Sequence, residues 1–257
     1  MSSPRTSRRP PLSRRPRMLR QLGRGRDVTR AVTWSAALIG WNNLAGRQAW
    51  HQRWYPLANL GATGTALAAA AASGLTADDL GLRRGRVAAG LRCGAAPSGA
   101  LAVGWILLAA VPASRPGLAD QRITGLTWPQ LAYQVTVRIP AGTVLWEEVA
   151  FRGVLQAFLR RVLPAPAALA ITATVFGIWH VRPTVEALRI NHMTASRRAM
   201  TGTVATSVVG TAAAGLLLSW LRERSGSLAA PVLLHLTANC GGALAARSAH
   251  GISAAPR

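Results

Sequence analysis

Apolar residues fall into long runs along the chain, and polar or charged stretches separate these runs. Seven runs have roughly the length of a membrane span, at residues 31–50, 56–74, 94–112, 127–160, 164–181, 201–221 and in a last run that starts after Ser227. A helix needs about 20 predominantly apolar residues to cross a bilayer. The pattern therefore predicts an all-α fold, a polytopic transmembrane bundle of about seven hydrophobic helices.

Two capping-box patterns mark helix starts between these runs. Thr76-Ala-Asp-Asp79 predicts a short basic amphipathic helix at the membrane surface. Thr127-Trp-Pro-Gln130 predicts the start of the fourth hydrophobic helix, in which Pro140 predicts a kink. The segments 113–126 and 182–200 are polar or basic, and we expect them to be loops.

Charge is distributed unevenly along the 257 residues. The formal net charge of +22 comes from arginine, because the sequence contains no lysine, and ten arginines lie within residues 1–30. This segment is also rich in Pro and Ser, so we expect a disordered cytoplasmic tail that attracts anionic lipid. It contains no interleaved aromatic residues and no recognition module, so no nucleic-acid partner is predicted.

The distribution of arginines also bears on topology. A cytoplasmic N-terminus places the arginines near residues 83–92, 160–161 and 222–224 inside, as the positive-inside rule requires. The same count places the basic segment 182–200 outside. Either one span is miscounted or re-entrant, or this segment returns into the protein.

The strongest chemical signal is the stretch Trp146–Gly153, which places Glu147, Glu148 and Arg152 within an otherwise apolar run. On a helix, Glu148 and Arg152 lie one turn apart and can pair, whereas Glu147 is rotated by about 100°. Ionisable groups at membrane depth are costly, so they indicate a functional site. One carboxylate can therefore be structural and the other chemical.

Two later apolar runs carry further polar groups at helical spacing. His180 follows Phe176 by one turn, and Asn239 follows His235 by one turn. Glu147 beside His180 would suit the deprotonation of a water molecule. His235 and Asn239 would suit hydrogen bonding to the oxyanion that forms when water attacks a peptide carbonyl. Together these groups predict a hydrolase that acts on a membrane-embedded peptide or protein, with its active site inside the bundle.

Other interpretations of the same residues stay open. Glu147, His180 and His235 could ligate zinc, although no His-Glu-x-x-His pair is present and no cofactor is the favoured prediction. The polar set could instead form a buried network in a non-catalytic protein that binds a peptide or partner in an immunity or scaffold role. A transporter with a proton relay would need inverted repeats and paired broken helices, which the sequence does not show.

Several residues have plainer interpretations. His residues at helix ends are commonly interfacial, and we expect this of three of them: His51, His192 and His250. Phe176 is expected to pack beside the site, and most of the tryptophans, including Trp146 and Trp179, are expected to be interface or packing residues. The two cysteines, Cys93 and Cys240, form no metal or disulfide pattern and are expected to act as small hydrophobes.

The ordered set Glu-Glu-x-x-x-Arg at 147–152, Phe-x-x-x-His at 176–180 and His-x-x-x-Asn at 235–239 resembles the CPBP family of intramembrane proteases. This family contains the CAAX-prenyl endopeptidases and the bacteriocin-immunity-like proteins. The resemblance covers about residues 127–248, and Asp79-Leu-Gly-Leu-Arg-Arg resembles the stretch that often precedes the core in bacterial members. The expected organisation is a tail at 1–30, N-terminal membrane helices at 31–126, a protease core at 127–248 and a second tail at 249–257.

The resemblance implies an all-helical membrane protease of the CAAX type. Glu147 and His180 would activate water, His235 with Asn239 would stabilise the oxyanion, and Glu148 with Arg152 would support the site. The resemblance does not decide between a metalloprotease-like mechanism and a mechanism that uses glutamate alone. It also does not identify the substrate. Composition and resemblance together suggest a bacterial inner-membrane protein with several spans and a cytoplasmic N-terminus.

Overall fold

The computed structural model of the chain describes residues 17–193 and 196–254, and all regular structure in these ranges is helical. The α-helices are α1 Arg17–Asn43, α2 Ala49–Arg53, α3 Tyr55–Ala72, α4 Val87–Ala110, α5 Arg115–Leu118, α6 Gln121–Thr124, α7 Trp128–Tyr133, α8 Leu145–Glu147, α9 Gln156–Val162, α10 Ala165–Trp179, α11 Val181–Ile190, α12 Arg197–Ser225 and α13 Ala229–Ala254. Short 3₁₀ turns cover Ala45–Arg47, Arg84–Arg86 and Pro112–Ser114. The predicted all-α class is confirmed.

Fewer helices are long enough to span a membrane than the seven that the sequence predicts. Within the described ranges, three helices are long and apolar enough to cross a membrane: Arg84–Ala110, Arg197–Ser225 and Ala229–Gly251. The other predicted runs are shorter or less apolar; α10, for example, has 15 residues. The structure is therefore consistent with a helical membrane bundle, and it does not confirm the number seven.

A single helical rod forms the middle of the molecule, and we call it the central helix (residues 128–162). It consists of α7, α8 and α9 joined without a break by two π-helical segments, Gln134–Val144 and Glu148–Leu155. The predicted capping box at Thr127 is formed, with the Gln130 side chain accepting from the Thr127 N–H at 2.9 Å. Pro140, which lacks a backbone donor, lies in the first π-helical segment, where a kink was predicted.

The central helix is surrounded by five other helices: α1, α3, α10, α12 and α13. Every residue from 146 to 159 is buried. Small residues allow the surrounding helices to pack closely, as is common in membrane proteins. A Cβ at Gly94 of α4 would lie 2.8 Å from the Ala230 carbonyl oxygen of α13, so only glycine fits there. The carboxylates of the central helix, Glu147 and Glu148, are thus buried within the bundle.

Two predictions about the N-terminal half need correction. The tail expected at residues 1–30 is helical from Arg17 onwards, because α1 begins there; residues 1–16 lie outside the described part of the chain. The Thr76–Asp79 capping box is formed, but no amphipathic helix follows it. Gly81 has a φ of +71°, which ends the turn, and the chain enters α4 through the 3₁₀ turn Arg84–Arg86.

The two expected loops also contain helices. Residues 113–126 include α5 and α6. In the 182–200 segment, residues up to Ile190 belong to α11. Arg182, at the start of α11, donates hydrogen bonds to the carbonyl oxygens of Asn42 at 2.6 Å and Gly46 at 2.7 Å. The segment therefore returns onto the bundle, which is one of the alternatives that the arginine distribution left open.

Candidate active site

The predicted pair of Glu148 and Arg152 is formed in the middle of the central helix. Arg152 Nη1 lies 3.0 Å from Glu148 Oε1, and both side chains are fully buried. The guanidinium also lies over the ring of Phe176, with its carbon 4.0 Å from the ring centroid. A buried charge has lost its hydration, and only an opposite charge nearby offsets that cost. Glu148 and Arg152 therefore fix each other's position.

His235 of α13 joins this pair from the other side. Its Nδ1 atom lies 2.7 Å from Glu148 Oε1, while its Nε2 atom lies 3.9 Å from Glu147 Oε2. Glu148 is paired with Arg152 and so acts as an ionised acceptor, which means that His235 Nδ1 donates. His235 thus contacts both carboxylates of the motif. The hydrogen bond to Glu148 orients the imidazole so that its other nitrogen faces Glu147.

Glu147 is the second carboxylate, and its environment differs from that of Glu148. It is 5% exposed, and its Oε1 atom accepts a hydrogen bond from Trp179 Nε1 at 3.2 Å. Its Oε2 atom has no hydrogen-bond partner among the described residues. Glu147 is therefore fixed by one oxygen and has an acceptor available on the other.

Trp179 is the site residue that sequence reasoning missed, because it was expected to be an interface or packing residue. It does pack edge-to-face on Phe151, with ring centroids 5.5 Å apart, but its N–H holds the Glu147 carboxylate. A buried tryptophan commonly finds a partner for its N–H. Its position directly before His180 was the one signal in the sequence.

His180 lies at the C-terminal end of α10, where its Nδ1 atom is 2.8 Å from the carbonyl oxygen of Phe176. A carbonyl oxygen only accepts, so Nδ1 carries the proton and donates it to this bond. The ring also contacts the Phe176 ring, with centroids 4.5 Å apart. In the neutral ring, Nε2 of His180 is consequently an acceptor, fixed in orientation by the helix itself.

A cavity of about 870 Å³ brings three of the predicted residues together: Glu147, His180 and Asn239 line its wall. His235 is not part of that lining and reaches the site through Glu147. Exposed residues mark where the cavity meets the surface: Gly117, Ala119, Arg122 and Met193. The buried Glu147 and Trp179 lie at its inner end, so the cavity connects the carboxylate with the outside of the bundle.

A buried polar cluster next to the site includes His51, which was wrongly expected at an interface. His51 is 4% exposed, and its Nε2 atom lies 3.2 Å from Asn59 Oδ1. Asn59 also donates to the Gly142 carbonyl oxygen at 2.6 Å, within the first π-helical segment. Desolvation lowers the pKa of His51; the Asn59 hydrogen bond opposes this, and the positive charges of Arg182 and Arg138 add to it. His192 and His250 are exposed.

The zinc alternative concerns the placement of Glu147, His180 and His235. Among the described residues, no group of three His, Cys, Asp or Glu side chains is placed to hold a metal ion. His235 Nδ1 is engaged by Glu148, and its Nε2 faces Glu147 at 3.9 Å. The cavity wall carries two acceptors, Glu147 and His180.

The all-helical fold and its long apolar helices point to a multi-pass membrane protein. Residues 129–241 match the family model described as Rce1-like, type II CAAX prenyl endopeptidase. This match, which spans less than half of the chain, agrees with the resemblance carried by the three motifs. Comparisons with curated proteins and with solved structures gave no match at the threshold applied.

Proposed function

We propose that the chain is an intramembrane endopeptidase that hydrolyses peptide bonds of membrane-associated proteins or peptides, with Glu147 as the general base. The observation that carries the proposal is the placement of Glu147, His180 and Asn239 on the wall of one cavity. The available Oε2 of Glu147 and the Nε2 of His180 are both acceptors. Two acceptors hold the two protons of one water molecule, which aims the water oxygen at a carbonyl carbon.

The proposed reaction proceeds through a tetrahedral intermediate. Glu147 takes a proton from the water as the oxygen bonds to the carbonyl carbon, and the carbonyl oxygen becomes an oxyanion. The side-chain amide of Asn239 donates to that oxyanion. His235 donates through Nε2 only when doubly protonated, since Nδ1–H is committed to Glu148. Glu147 then passes its proton to the leaving nitrogen, and the C–N bond breaks.

The remaining assignments belong to the same proposal. Glu148 and Arg152 position His235 and do not touch the substrate. The protein requires no metal ion, and it lies in a bacterial inner membrane with its N-terminus cytoplasmic. The arginines of residues 1–30 contact anionic lipid at that face.

The test compares the N-termini of membrane proteins in cells that express the wild type, Glu147→Gln or Glu186→Gln at equal levels. Glu186 pairs with Arg182 outside the site and serves as the matched carboxylate control. We expect cleavage products with the wild type and with Glu186→Gln, and their loss with Glu147→Gln. Identical products from all three proteins would overturn the proposal and favour a binding protein on the same fold.

A further inference from the structure

A second cavity, of about 510 Å³, lies between the end of α1, the 3₁₀ turn that follows it and the helix α11. We call it the basic cleft, after the charged side chains that line it: Arg47, Arg182, Glu186 and Arg189. It has no lining residue in common with the cavity that contains Glu147. Three arginines face one glutamate here, so two positive charges of the cleft lack a counter-charge within it.

Arg182 is the fixed cation of the basic cleft. Besides its hydrogen bonds to the carbonyl oxygens of Asn42 and Gly46, its Nη2 atom lies 2.6 Å from Glu186 Oε1. These bonds hold the guanidinium in one orientation, and a guanidinium carries more N–H donors than they use. Arg182 can therefore accept a further anionic partner without giving up its contacts to α1.

Arg47 and Arg189 differ from Arg182 because they are exposed and unpaired. Neither forms an ion pair with a carboxylate in residues 17–193 or 196–254. Arg47 comes from the 3₁₀ turn and Arg189 from the last turn of α11, so they approach the cleft from two sides. Arginine forks match the oxygens of a phosphate group, and sites for small ligands have volumes of about 300–1,000 Å³. The cleft therefore suits a phosphate-bearing ligand.

The residues around the cleft are those of a membrane surface. Trp50 and Trp54, which follow the 3₁₀ turn, are about half exposed, and exposed tryptophans are typical of the level of the lipid headgroups. Leu44 is exposed beside them. Val181 and Val185 add apolar surface to the cleft wall itself. A ligand that carries both a phosphate and apolar chains fits this mixture better than a free phosphate ion.

The helix α11 has the pattern of a helix that lies along a membrane surface. Arg182, Glu186 and Arg189 are four and three residues apart, so they share one face, whereas Leu188 is buried against the bundle. Basic amphipathic helices of this kind lie in the headgroup region of anionic membranes. The charged face of α11 is the face that lines the basic cleft.

The basic cleft is distinct from the arginine-rich start of the chain. Near the start of α1, Arg24 donates to the Val162 carbonyl oxygen at 3.3 Å, just before α10 begins. Near the end of α1, Asn42 donates to the Trp179 carbonyl oxygen at 2.6 Å, where α10 ends. The two helices therefore run side by side along the bundle, and the cleft lies at the opposite end from the N-terminal arginines.

We propose that the basic cleft binds the headgroup phosphate of an anionic phospholipid. Arg47 and Arg189 contact the phosphate from the two sides of the cleft, and Arg182 contacts it from the wall between them. The bound lipid joins the turn after α1 to α11 and so stabilises the position of α11 on the bundle. This inference does not depend on the proposed peptidase function.

The experiment titrates the full-length protein, in a neutral detergent, with phosphatidylglycerol, phosphatidylcholine or inorganic phosphate. Native mass spectrometry counts the retained lipid molecules, and thermal unfolding measures their effect on stability. We expect the wild type to retain one phosphatidylglycerol in preference to phosphatidylcholine, and its unfolding midpoint to rise as this lipid binds. The double variant Arg47→Gln/Arg189→Gln should bind this lipid at least about tenfold more weakly, because it loses two charge-assisted contacts. Its midpoint without lipid should stay that of the wild type.

The matched control is Arg84→Gln/Arg92→Gln, which removes the same charge from exposed arginines outside both cavities and should keep the wild-type affinity. Glu186→Gln removes the carboxylate of the cleft and should bind the lipid more tightly, whereas Asp78→Asn, at an exposed carboxylate elsewhere, should not. Glu186→Gln also supplies the test if the arginine variant does not fold.

Three results would overturn the inference. The wild type could retain no phosphatidylglycerol, or the two double variants could lose the same affinity, in which case the lipid responds to net charge alone. Inorganic phosphate could displace the lipid at equal concentration and raise the unfolding midpoint by itself. That result would assign the cleft to a soluble phosphate compound.

Discussion

Nδ1 of His235 lies 2.7 Å from Glu148 Oε1, and Nη1 of Arg152 lies 3.0 Å from the same oxygen. One carboxylate oxygen thus holds an imidazole from α13 and a guanidinium from its own helix. Glu148 and Glu147 are adjacent in sequence, but only Glu147 lines the cavity. This division of roles between two neighbouring carboxylates can be tested by comparing their amide variants.

Glu148→Gln should destabilise the fold much more than Glu147→Gln. Removing one partner of a fully buried ion pair leaves Arg152 uncompensated, which costs about 3–5 kcal/mol. Glu147 has no ion pair closer than the 3.9 Å contact with His235, so its amide variant should keep nearly the wild-type stability. Thermal unfolding in detergent measures both. Equal unfolding midpoints for the two variants would contradict the structural role assigned to Glu148.

Trp179→Phe should lower peptidase activity per folded molecule. Phenylalanine keeps the edge-to-face contact with Phe151, but it removes the N–H that holds Glu147 Oε1. Loss of one hydrogen bond to a charged group is worth about 1.5–3 kcal/mol, or about ten- to hundredfold in rate if it acts on the catalytic base.

The control for Trp179→Phe is Trp34→Phe. Trp34 also donates its N–H, but to the Ala150 carbonyl oxygen at 2.9 Å and not to a carboxylate of the site. We expect this variant to lose some stability and to keep its activity per folded molecule. Equal activity losses in the two variants would mean that the indole contributes only packing.

Much of this site follows from sequence, because it depends on local spacing. The pairing of Glu148 with Arg152 and the Thr127 capping box are contacts within one turn or one helix end, so helical periodicity predicts them. The grouping of Glu147, His180 and Asn239 required only that three apolar helices pack together. The family motifs then indicated which faces meet.

What sequence did not predict depends on how helices cross. The hydrogen bond from Trp179 to Glu147 joins two helices at one depth, and the burial of His51 depends on Asn59 and on the π-helical backbone at Gly142. No local pattern encodes these positions. The helix α11 was missed for a related reason, since the arginines of that segment suggested a loop, whereas Arg182 binds the carbonyl oxygens of Asn42 and Gly46.

The buried His51 should make stability depend on pH. Burial lowers its pKa in the folded protein from the ordinary value of 6.5, so the unfolded chain takes up the proton first as the pH falls. The stabilising contribution is therefore complete above about pH 6.5, and it is lost as the pH falls from there through the lower folded-state pKa. In the wild type, the unfolding midpoint measured across this range should decrease as the pH is lowered.

His51→Gln removes the titrating group and should give a flatter pH dependence than the wild type. His192→Gln provides the control, because His192 is exposed at the end of α11 and its removal should leave the wild-type slope unchanged. The difference between the two variants isolates His51 from the other histidines. If the unfolding midpoints of the wild type and of His51→Gln decreased in parallel as the pH is lowered, burial of this imidazole would not be the cause of the decrease.

Gly177 should be essential for the position of α10 against α12. A Cβ at this position would lie 2.6 Å from the Val208 carbonyl oxygen and 2.9 Å from Ala212 Cβ, so the helices must move apart in Gly177→Ala. Overpacking of this kind costs about 1–3 kcal/mol. The same movement would displace Trp179 and His180, which follow on the same helix, so activity should fall together with the unfolding midpoint.

Gly202→Ala in α12 is the matched control, because no atom lies within 4 Å of its Cβ. The better helix propensity of alanine should add up to about 1 kcal/mol of stability to this variant. A Gly177→Ala protein as stable and as active as Gly202→Ala would mean that α10 and α12 do not approach this closely at the site.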